Sequence, residues 1–83
     1  MERIYTEETG ILDIDPETKE FVLERQDGDG SVRIFLCMDK SMIDSMKMES
    51  LVAKKVVVSG FGDFVMDSPV PSMIEVSEID CFG

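Results

Sequence analysis

The chain has 83 residues, 43% of them hydrophobic, and eighteen acids against eight bases give a net charge of −10. That length and composition describe one small globular domain with a modest core, too apolar for a disordered chain. The longest apolar run, Ile34–Met38, is far too short to span a membrane, and two cysteines with no histidine exclude a four-ligand Cys/His zinc site.

The first strand is expected over Arg3–Ile14, interrupted near Gly10, with Ile4, Leu12 and Ile14 on one face. Asp15-Pro16-Glu17-Thr18 reads as a turn, because proline fixes φ and an aspartate side chain caps the following amides. Strands are then expected at Glu20–Gln26 and Ser31–Cys37, joined by a four-residue loop Asp27-Gly28-Asp29-Gly30. In that register Leu23 faces Ile34 and Phe21 faces Leu36 on the apolar side. Glu24 faces Arg33 and Val22 faces Phe35 on the other. A one-residue slip would spoil both sets.

Ser41-Met42-Ile43-Asp44 has the form of a capping box, with Ser41 as N-cap of a helix reaching about Val52. Met42, Ile43, Met46 and Ala53 share its apolar face, whereas Met48 points elsewhere and is expected to be exposed. Val56–Gly60 reads as a fourth strand partly buried on both faces. Phe61–Pro71 reads as a loop, for its Gly62, Asp63, Pro69 and Pro71. Met73–Ile79 reads as a fifth strand with Ile74 and Val76 inward. Ile79 breaks the alternation, which predicts a bulge or an end effect.

Three strands, a short helix and two more strands resemble the OB-fold in order. The resemblance covers nearly the whole chain and rests on element order alone. It implies a mainly β, five-stranded Greek-key barrel with the helix between strands three and four, and often a single-stranded nucleic-acid ligand. An SH3-like barrel is the alternative architecture. A nucleic-acid ligand would use Arg33 and Phe35 on the outward face of strands two and three, one for phosphate and one for stacking. The charge distribution argues against it. Residues 1–30 carry ten acids and three bases, residues 61–83 carry five acids and no base, and only the middle third is mildly basic. The loops that should attract phosphate are therefore acidic.

No catalytic constellation stands out. Asp27-Gly28-Asp29 begins like a calcium loop, but the positions that need glycine and glutamate hold Val32 and Met38. No histidine is present to serve as a base, and no phosphate-binding glycine motif occurs. The expectation is a non-catalytic protein-interaction module without cofactor or metal. Its partner would be another protein, with a basic one suiting the acidic charge, or a second copy. Phe35, Phe61, Phe64 and Met66 would be apolar anchors, with Asp63 and Asp67 as an acidic rim. The competing use of Phe61, Phe64 and Met66 is to plug the barrel end. Cys37 and Cys81 are expected as free thiols. The N-terminal segment lacks signal-peptide character, so a cytoplasmic location is the default expectation.

Overall fold

The computed structural model describes residues 2–82, and the side chains of all of these except Glu2 and Asp27. Strand β1 (Glu2–Ile14) is long enough to serve two partners. Its first part pairs antiparallel with β4 (Lys55–Phe64), from Glu2 opposite Phe64 to Ile11 opposite Lys55. Its last part pairs antiparallel with β2 (Phe21–Asp27), from Ile11 opposite Glu24 to Ile14 opposite Phe21. Gly10 therefore sits where the strand changes partner. A Cβ there would stand 2.5 Å from the Glu24 carbonyl oxygen, so glycine permits the close approach and the strand is continuous, not interrupted.

Strands β2 and β3 (Gly30–Cys37) form a hairpin in the expected register, Leu23 opposite Ile34 and Gln26 opposite Ser31. The turn is tighter than the expected four-residue loop. Asp27 pairs with Gly30, leaving only Gly28 and Asp29 between the strands. Gly28 has a φ of 62°, which a side chain would oppose. Leu23 and Ile34 are fully buried, and Phe21 and Leu36 nearly so. Val22 on the other face is fully buried too, beside a half-buried Phe35.

Helix α1 (Lys40–Met46) is shorter than its sequence pattern, and Asp39, not Ser41, is its N-cap. The Asp39 carboxylate accepts from the Met42 amide at 2.9 Å and from the Ser41 hydroxyl at 2.9 Å. Lys47, at φ 51°, ends the helix in the left-handed region and donates to the carbonyls of α1. The chain then turns into a 3₁₀ segment, Met48–Leu51. That change of direction drives Met48 into the core, where it is fully buried; the expected exposed methionine is a plug. Ala53, expected on the helical face, lies beyond the helix, exposed, at φ 70°.

Strand β5 (Met73–Cys81) closes the arrangement. It runs antiparallel to β4 and parallel to β3, with Phe35, Leu36 and Cys37 beside Met73, Ile74 and Glu75. The five strands form one mixed sheet joined into a ring in the order β1-β2-β3-β5-β4. Ser59 faces Glu78 and Gly60 faces Val76, so Ser77 is the extra residue of a bulge. That bulge returns Ile79 to the inward face, as the broken alternation predicts.

Leu12, Leu23, Ile34, Met48, Val56, Val58 and Ile74 are fully buried inside the ring. Each contributes about 1.5–3 kcal/mol relative to exposure. No helix is long and apolar enough to cross a membrane among the described residues.

Candidate docking site

Strand β4 runs four residues past the end of its sequence pattern, so Phe61, Gly62, Asp63 and Phe64 belong to a strand and not to the expected loop. Alternation then separates their side chains. Val56, Val58, Gly60 and Gly62 are buried, while Phe61 is 45% exposed. Glycine is needed at the inward positions: a Cβ on Gly62 would press on Pro71 Cβ and Thr6 Cγ2, both at 3.0 Å.

The registers place the outward side chains in rows. Phe35, Met73, Asp63 and Arg3 lie side by side across β3, β5, β4 and β1. In the next outward row Glu75, Phe61 and Tyr5 are neighbours. Tyr5 and Phe61 meet edge to face with centroids 5.2 Å apart. The Arg3 guanidinium lies 5.7 Å from the Phe61 centroid and forms an ion pair with Glu75.

Beyond β4 the chain folds back. The Ser68 amide donates to the Val65 carbonyl at 3.1 Å, and Asp67 takes a φ of 67°. The Ser68 hydroxyl donates to the Val70 carbonyl at 2.8 Å, and the Ser72 amide donates to the Asp63 carbonyl at 3.0 Å. This turn tucks Val70 and Pro71 inward and leaves Val65 and Met66 outward, Met66 at 81% exposure. The inward-turning residues of the segment are thus Val70 and Pro71, not Met66. Ile4, Phe64, Val65, Met66, Asp67 and Pro69 border a groove of about 430 Å³. Ile4 keeps the inward parity of Leu12 but lies past the filled interior, so it is half exposed and walls this groove.

Of the eight large hydrophobic side chains exposed among the described residues, six gather here: Ile4, Tyr5, Phe61, Val65, Met66 and Met73. The other two, Ile11 and Phe82, sit at the far end around Lys55. Phe61, Phe64, Met66, Asp63 and Asp67 of the sequence reading therefore fall in one region. Phe35 joins it only through Met73 and is half-buried above a separate small cleft beside Met38 and Ile43. Tyr5, Arg3, Met73 and Ile4 were not singled out by sequence. The one available signal was the alternation Arg3, Tyr5, Glu7, which marks an outward row containing a single aromatic.

Arg33 and Phe35 share the outward face of β3. Arg33 lies opposite Glu24 as expected, yet its guanidinium approaches Asp15 instead, at 3.9 Å. The Asp15 carboxyl is held below its ordinary value by the amides of Glu17 and Thr18, with Arg33 adding a smaller effect. Glu8, which is buried, accepts from Arg25 at 2.6 Å and from the Thr6 hydroxyl at 3.1 Å. Among the described residues no group of three metal-ligating side chains occurs, and no buried side-chain polar atom lacks a partner. Cys37 and Cys81 are exposed and unbridged.

No protein-family model, no curated protein and no solved structure matches this chain at a significant level.

Proposed function

We propose that the chain is an OB-like Greek-key barrel acting as a non-catalytic docking module for a basic protein segment. The ring order, the parallel seam between β3 and β5, and the helix between β3 and β4 support the architecture. The observation that carries the function is the gathering of six exposed apolar side chains at one end.

The groove takes one or two apolar side chains of the partner. Phe61 and Tyr5 offer a rigid aromatic edge beside it. Asp63 and Asp67 give the rim its sign, and the charge of Arg3, the cation of the rim, is offset by the neighbouring Glu75 in an exposed pair. With a net charge of −10 on the whole chain, a basic segment is drawn in and an acidic one repelled. The nucleic-acid alternative has weaker support, since Arg33 sits between Glu24 and Asp15.

The test is site-specific photo-crosslinking in a lysate of the source cell, from Met66 and, separately, from Ile11 at the far end. A partner peptide rich in lysine or arginine, captured from Met66 alone and lost above about 0.3 M salt, supports the reading. Equal capture from both positions, or captured peptides without basic residues, would refute it.

A further inference from the structure

The open edge of β1, which adjoins the groove at Ile4, points to a second interaction. On one side β1 is paired with β4 from Glu2 to Ile11. On the other side the pairing with β2 starts at Ile11, so among the described residues no strand is paired along that edge from Arg3 to Gly10, although Gly10 already abuts Glu24. The Leu12 amide donates to Lys54 and its carbonyl accepts from Ala53, on the β4 side. Backbone groups alternate in direction along an antiparallel strand. Those of Arg3, Tyr5, Glu7 and Thr9 therefore face the open edge, and all four side chains are exposed. Such an edge is a template for another strand, and soluble proteins guard or use it.

We propose that a second copy of this chain pairs antiparallel along that edge, with Tyr5 on the two-fold axis. The order of side chains selects this occupant. Read antiparallel against itself about Tyr5, the run Arg3, Tyr5, Glu7 sets each copy's Arg3 opposite the second copy's Glu7, twice, and Tyr5 opposite Tyr5. All three residues present backbone groups to the edge, so these are hydrogen-bonded pairs in the correct phase. Within each copy Tyr5 already lies beside Phe61. The joined sheet would carry one unbroken aromatic row, Phe61, Tyr5, Tyr5, Phe61. On the other face Ile4 meets the second copy's Thr6. Two bodies of −10 repel, and a strip this narrow buries on the order of 1,000 Å², so the dimer is weak and tightens as salt screens the repulsion.

Sedimentation velocity on the whole chain, from about 10 µM to about 1 mM at 0.15 M salt, tests this. The wild type is expected to pass from monomer to dimer over that range. Glu7→Arg sets like charges together at both ends and weakens the dimer by at least about tenfold. Arg3→Glu does the same, and the Arg3→Glu/Glu7→Arg double variant regains the dimer. Hydrogen exchange supplies the second readout: the Tyr5 and Glu7 amides gain protection as concentration rises. A wild type that stays monomeric throughout overturns the proposal. So does a dimer that ignores the charge swap or leaves those two amides unprotected. Loss of crosslinking from Met66 has no bearing on this edge, so the two readings fail separately.

Discussion

Gly60 lies so close to Glu75 that a Cβ built on it would stand 2.1 Å from the Glu75 carbonyl oxygen. The contact is backbone against backbone, with no flexible side chain to give way. Gly60→Ala therefore forces β4 and β5 apart at the bulge and costs about 2–3 kcal/mol. Gly30 has open space at the same position, and Gly30→Ala changes stability by about 0.5 kcal/mol or less. Urea unfolding midpoints of the two variants check the contrast; equal shifts would remove the steric argument.

Met48 and Met66 make a second paired prediction. Met48 is fully buried, Met66 is 81% exposed. Met48→Ala opens a cavity in the ring and destabilises by about 2–4 kcal/mol, whereas Met66→Ala leaves thermal stability nearly unchanged. If both variants melted with the wild type, the 3₁₀ turn after Lys47 would not be seating Met48 as described.

The Glu8 carboxylate is nearly buried and depends on Arg25 and Thr6. Removing the cation leaves a desolvated charge, which costs more than the pair contributes when intact. Arg25→Ala is expected to lose about 1–3 kcal/mol, and the Glu8→Leu/Arg25→Ala double variant to recover part of it. A double-mutant cycle by chemical denaturation measures the coupling; strict additivity would contradict it.

Two turns make stability depend on acid. The Asp15 carboxyl is lowered chiefly by the Glu17 and Thr18 amides, and the Asp39 carboxyl by the Met42 amide and the Ser41 hydroxyl. In the unfolded chain both return to the ordinary value, about 3.9. Below that value the unfolded chain binds more protons than the folded one. The stabilisation is thus complete above about pH 4 and disappears as the pH falls through the lower folded values. The Asp15→Asn/Asp39→Asn variant should be less stable than the wild type at neutral pH, with the gap closing toward about pH 2. A gap constant across that range would show that the charged form carries no share.

The hairpin of β2 and β3 was legible because three local signals agree: turn glycines, alternation and an apolar face. The far half of β4 was not. Gly60 and Gly62 are breakers by propensity, and only the closeness of Glu75, Pro71 and Thr6 makes them the residues a strand needs there. Capping chemistry pointed to the start of the helix but chose Ser41 over Asp39, two residues apart and both able to cap. Met48 was misread because its direction follows from the left-handed turn at Lys47, which no periodicity anticipates. The site was half legible. Phe61, Phe64 and Met66 crowd a short stretch and announce themselves. Arg3 and Tyr5 join them only through the register of β1 with β4, strands at opposite ends of the chain, and Met73 through the register of β4 with β5 across the 65–72 turn.

The seam between β3 and β5 is short, Phe35–Cys37 against Met73–Glu75, and it joins segments far apart in the chain. Its closure spans a loop of 38 residues and returns only three residue pairs, whereas the longer-range pairing of β1 with β4 is repaid by ten. Folding should therefore begin in the sequence-local meander of β1, β2 and β3 and finish at this seam. Truncations at Ile74 would then speed unfolding while leaving the folding rate little changed, whereas those at Leu23 would slow folding. The last stretch to lock is the one that carries Met73 and anchors the 65–72 turn, so the end that gathers the exposed apolar side chains would be assembled only when the ring is complete.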